Sequence, residues 1–149
     1  MLIDFDDLAW VDRSTPADDL RSVFDFTLAG RVHAPDAPSF PETSLRQAWL
    51  RWRLVSDATR LEIRFPWWDS LSDMAPFVDW LRTAADGEVF SDCDQGWTLQ
   101  ATRKGERFHL QDGDLDTGEE FANVSVDRRQ LLDDLEIKEA DIRRVIARL

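Results

Sequence analysis

The densest run of chemically active side chains in this sequence is Asp112-Gly113-Asp114-Leu115-Asp116-Thr117-Gly118-Glu119-Glu120. Carboxylates at alternate positions can converge on one hard cation, or present a negative rim to a basic surface. Imidazole chemistry has little to draw on. His33 and His109 are the two histidines, neither has a Cys or His at a metal-ligand spacing, and nothing like G-x-S-x-G accompanies them. Neither a zinc site nor a serine-type triad is therefore expected. His109 alternates with Phe108 and Leu110 and is read as an exposed strand residue. Cys93 is the single cysteine, so no internal disulfide can form, and its neighbours Asp92 and Asp94 disfavour the thiolate.

The cation reading of the acidic run fails in detail. Counted as a calcium loop from Asp112, its sixth position is Thr117, the glycine comes one residue late at Gly118, and the twelfth position is Asn123 instead of a bidentate acid. A solvated hairpin loop is expected, with no metal and no cofactor. Paired carboxylates suited to acid–base work will arise by chance among 30 acidic residues, so none can be singled out. No Gly-rich phosphate loop is present. A binding protein is favoured over an enzyme. Adjacent Trp67 and Trp68 would face opposite ways on a strand, leaving one exposed as a protein anchor, a sugar platform or a rim residue over the following helix.

These groups must be carried by a fold, and the composition supports one. The 149 residues, 43% hydrophobic with seven Trp and nine Phe, suit one domain spanning residues 1–149. The start, Met1-Leu2-Ile3-Asp4-Phe5, lacks the basic region and apolar run of a secretory signal, and no apolar stretch approaches the roughly 20 residues a bilayer needs. A cytoplasmic location is expected.

Alternation predicts a strand over 22–33, a hairpin over 45–66 (Leu50, Trp52, Leu54, then Leu61, Ile63, Phe65), and a meander of 97–103, 106–111 and 119–126. Helical spacing of Leu45, Trp49 and Trp52 competes for the first arm of the hairpin. Leu2 to Phe5 could add a strand, and Thr15 could cap a helical turn opening at Pro16. The proline-rich stretch 34–41 reads as a connector. Met74, Phe77, Val78 and Leu81 predict a helix capped at Ser70 and ended by Gly87, with Pro76 pointing to an irregular first turn or a start nearer Ala75. A further helix opens at Asp127, where Asp127 and Gln130 form a capping box, and a last one covers 137–149. The sum is α+β: an antiparallel or mixed sheet of about five to seven strands, with a central helix and two C-terminal helices packed on it.

The formal net charge is −12, with 22 Asp against 8 Glu and 16 Arg against 2 Lys. Such a field opposes nucleic acid and anionic membranes and favours a basic partner. The excess is segregated: residues 1–43 sum to −6 and 86–120 to −7, whereas 44–85 sum to +1 and 121–149 to zero. Salt adaptation would spread acid over every exposed face; a partner-directed field concentrates it. In size, acidity, Trp content and layout the chain resembles the small immunity proteins that bacteria encode beside secreted toxins. The resemblance implies a cytoplasmic stoichiometric inhibitor that covers the active site of a basic toxin. Asp112, Asp114, Asp116, Glu119, Glu120, Trp67 and Trp68 are the expected contact residues, and the oligomeric state is left open. A carbohydrate- or small-ligand-binding domain using Trp67, Trp68 or Trp97, and a salt-adapted domain with no dedicated partner, are the alternatives.

Overall fold

A computed structural model of the chain describes residues 14–28, 48–65 and 71–148. In order these form β1 (Thr15–Pro16), β2 (Arg21–Leu28), β3 (Ala48–Ser56), β4 (Leu61–Arg64), α1 (Leu71–Thr83), β5 (Val89–Asp94), β6 (Trp97–Lys104), β7 (Arg107–Asp114), β8 (Glu120–Asp127) and α2 (Arg128–Ala147). The fold class is α+β. The strands divide between two sheets: a mixed one ordered β1-β8-β7-β6-β5, in which β1 runs parallel to β8, and an antiparallel one ordered β2-β3-β4.

The hairpin forms as its alternation predicts. Leu50, Trp52 and Leu54 of β3 and Ile63 of β4 are buried, while Arg51 and Arg53 stay at the half-exposed surface. α1 buries Met74, Phe77, Val78, Trp80 and Leu81. Its aromatics join the sheets: Phe77 lies 5.7 Å from Trp52 and 5.0 Å from Phe90, and Trp80 lies 5.6 Å from Phe108. Each such ring pair adds about 0.5–1.5 kcal/mol beyond its buried area. Both sheets and both helices thus contribute to one apolar core.

Several expectations are corrected. Thr15 and Pro16 form a strand, because they pair with Val124 and Ser125 and the next amide, Ala17 N–H, donates to the Ser125 carbonyl at 2.8 Å. The C-terminal region is one helix of 20 residues where two were expected. No Gly or Pro interrupts it, Leu131, Leu135 and Ile142 are buried on one face, and Lys138 and Arg143 pair with the acids one turn earlier, Asp134 at 3.6 Å and Glu139 at 3.1 Å. Half of the capping box exists: Gln130 N–H donates to Asp127 Oδ1 at 3.0 Å, but the Gln130 side chain donates to the Leu20 carbonyl. Pro76 is exposed inside α1, and the helix ends at Thr83, before Gly87. β5 was not expected at all. The segments 2–5 and 34–41 lie outside the described residues. No described helix is long and apolar enough to cross a membrane.

Candidate functional site

Two hairpin ends meet at one end of the five-stranded sheet. The β5–β6 connection is the two residues Gln95 and Gly96, with φ of 48° and 89°, the twist that suits a two-residue hairpin. The Leu115 N–H donates to the Gly96 carbonyl at 2.7 Å, docking this turn against the β7–β8 loop. Asp114 holds that loop: its Oδ1 accepts the N–H groups of Asp116 at 2.8 Å and Thr117 at 3.3 Å, and its carbonyl accepts Gly118 N–H at 2.8 Å. Asp94, Trp97 and Asp114 are consequently cross-strand neighbours, and Asp92, Leu99, Asp112 and Ala122 form the next row. The register shifts between Asp112 and Gly113, leaving Phe121 as the extra residue on β8.

Asp112 does not stand on a rim. It is 3% exposed and shares its strand face with Phe108 and Leu110. Burial pushes its carboxyl up to about 6, against the opposing pull of the Trp97 indole and the Ala122 backbone N–H. Its Oδ1 has no hydrogen-bond partner among the described residues. On the opposite face of the same strand His109 is also buried, at 9% exposed, and faces the Ser14 hydroxyl at 3.3 Å, so the expectation of an exposed histidine is overturned. The N-terminal strand β1, paired alongside β8, is what brings Ser14 there.

Beside the acids lies a cleft of about 590 Å³ between β5 and the β7–β8 loop. Asp92, Asp112, Asp114, Glu119 and Glu120 line it, and no basic residue among those described does. Leu115, 67% exposed, stands at its rim, and Phe121, 48% exposed, adjoins Glu120. Asp114 is half-buried; Asp116, Glu119 and Glu120 are exposed, and Glu120 accepts the Gln111 side-chain N–H at 2.6 Å. No protein-family model, curated protein or solved structure matches the chain.

Countercharge is distributed unevenly around this site. Among the described residues no ion pair involves Asp94, Asp112, Asp114, Asp116, Glu119 or Glu120. Elsewhere several acids meet arginines, Asp18 with Arg107, Asp25 and Glu62 with Arg53, Asp57 with Arg21, and Glu139 with Arg82, while Asp79, Asp86, Glu88, Asp133 and Glu136 form no ion pair among the described residues. The two acidic segments of the sequence do not merge in their described parts. Asp18 sits at the opposite end of β7, bonded to Arg107 at 2.9 Å and to the Asp127 N–H at 3.0 Å. Asp19 accepts from Ser56 and Ala58, and Asp25 from Arg53.

Trp67 and Trp68 lie outside the described residues. Trp97 is half-buried, meeting Phe65 edge-on at 6.2 Å, and is taken up by the core. Sequence reasoning missed Asp92, Asp94, Leu115 and Phe121. The pair Asp92 and Asp94 was visible as an acidic alternation, but it offers no apolar face by which a strand is recognised.

Proposed function

We propose that the chain is a stoichiometric inhibitor of a basic bacterial toxin, an immunity protein that binds through the acidic end of its five-stranded sheet. The observation that carries this reading is the gathering at that end of Asp94, Asp114, Asp116, Glu119 and Glu120, none of which has an ion pair among the described residues. A carboxylate with no ion-pair partner in the free protein projects its field into solvent and meets an incoming guanidinium without first releasing an arginine of its own. Leu115 and Phe121 supply apolar anchors beside it, so the patch has both an anchor and a charged rim. The competing sugar-binding reading loses Trp97, whose ring packs in the core. Uniform salt adaptation would not gather Asp94, Asp114, Asp116, Glu119 and Glu120 at one end of one sheet.

Co-expression with the product of the neighbouring gene tests the reading. We expect co-purification in equal amounts and rescue of growth from that product's toxicity; separate elution with no rescue removes it.

A further inference from the structure

A second cavity lies at the other end of β8, and it is built differently from the acidic one. β8 runs from Glu120 at the acidic end to Asp127, and α2 opens on the next residue, Arg128. Between this first turn and the last turn of α1 lies a cavity of about 390 Å³, lined by Arg82, Arg128, Arg129, Leu132, Asp133 and Glu136. Arginines at the start of a helix stand at the positive end of its dipole, where acids are favoured and cations are not. Arg128 is explained by packing: its guanidinium donates to the Arg82 carbonyl at 3.3 Å, at the end of α1 where carbonyls lack helical partners. That uses one donor of several, and its Nε is buried with no hydrogen-bond partner among the described residues. Arg129 is not so explained. It is exposed, as are Asp133 one turn on and Glu136 beyond it, and none of the three forms an ion pair among the described residues.

We infer that this cavity binds a small zwitterion of dipeptide size, with its carboxylate on Arg128 and Arg129 and its ammonium on Asp133 and Glu136. The charge balance selects the class. Arg82 is already paired with Glu139 at 2.6 Å, which leaves two arginines and two acids facing one cavity. A dianion would meet Asp133 and Glu136 as well as the field of a chain of net charge −12, and a dication would meet both guanidiniums. A ligand with one charge of each sign meets neither penalty. Its length follows from the helix: at about 1.5 Å per residue, Arg129 and Asp133 are about 6 Å apart along the axis, and an extended dipeptide sets its terminal charges about 7 Å apart. Leu132, half-buried in the same wall, offers an apolar contact to one ligand side chain. The amides of the first turn are already engaged, Arg128 N–H with the Glu106 carbonyl at 2.8 Å and Gln130 N–H with Asp127 Oδ1 at 3.0 Å. The guanidiniums, and not the helix end, therefore take the carboxylate. The site is independent of the acidic end and of the basic-partner reading.

Calorimetric titration and amide chemical shifts of the intact protein with glycyl-leucine test this, alongside N-acetyl-glycyl-leucine, glycyl-leucinamide and inorganic phosphate at low ionic strength. We expect glycyl-leucine to bind and to shift the amides of Arg82 and of residues 128–136. Either blocked peptide is expected to bind about tenfold more weakly, since each lacks one charged contact. Arg129→Gln and Asp133→Asn alter exposed side chains that form no ion pair, so both variants should fold as the native protein does, and each is expected to weaken glycyl-leucine by about the same factor. No binding of glycyl-leucine up to about 10 mM overturns the inference, as do shifts confined to residues outside this cavity. Equal binding of the blocked peptides, or unchanged affinity in both variants, overturns it because the charges then take no part. Tighter binding of phosphate than of glycyl-leucine also overturns it, showing a plain anion site in which Asp133 and Glu136 have no role.

Discussion

Asp112 occupies a strand position that would ordinarily hold an apolar residue, and the fold accommodates it by favouring its neutral form. The folded protein holds this proton more tightly than the unfolded chain does, since burial moves the carboxyl from 3.8 to about 6. The stability associated with it is complete below the unfolded value and is lost as pH rises through about 6. Asparagine mimics the protonated carboxyl in shape and neutrality. Asp112→Asn should therefore raise stability by roughly 2–3 kcal/mol at about pH 7.5 and leave it nearly unchanged at about pH 4. Urea denaturation of both proteins at the two pH values checks this, and an equal gain at both would contradict it. His109 acts in the opposite sense. Burial first, then Lys104 and Arg107, hold its imidazole below 6.5, so its contribution is present above that value and is lost as pH falls. Asp112 was legible as buried: it follows Phe108 and Leu110 at the same parity, and only ending the strand at Gln111 hid it. The burial of His109 was not legible, because the segment that brings Ser14 over it is distant in sequence and reads locally as a helical turn.

At the scale of elements, the strands that alternate over the core were legible, and β1 and β5 were not. β3, β4, β6 and β8 alternate strongly because each lies over the core. β5 meets it only through Phe90, so Asp92 and Asp94 occupy the positions where a pattern search looks for apolar residues. α2 was read as two helices because charged residues dilute its middle, yet Ile142 continues the buried face of Leu131 and Leu135. The bulge at Asp112 and Gly113 is an element feature that depends on one residue. A Cβ on Gly113 would collide with the Glu119 carbonyl oxygen and crowd Glu120 Cα at 3.3 Å, both backbone atoms that cannot swing aside. We expect Gly113→Ala to cost about 1–3 kcal/mol by shifting the β7–β8 register. Chemical denaturation reads the loss, and an unchanged midpoint would show that the loop gives way freely.

Over the whole molecule, the net charge of −12 was plain in the sequence, but its arrangement was only half so. The excess in residues 86–120 gathers where the β5–β6 turn meets the β7–β8 loop. The described acids of residues 1–43 lie elsewhere and meet arginines or cap turns. No single-sequence sum distinguishes these two fates, because pairing depends on which strands become neighbours. If the unpaired end steers a basic partner, neutralising it must slow encounter more than it hastens escape. The direct measurement is stopped-flow association with the product of the neighbouring gene, comparing the native protein with the quadruple variant Asp114→Asn, Asp116→Asn, Glu119→Gln and Glu120→Gln across ionic strength. We expect the native rate to fall steeply with salt and the variant to associate about 10- to 10³-fold more slowly at low salt. Equal rates for the two proteins, with the same salt dependence, would contradict a partner-directed acidic end.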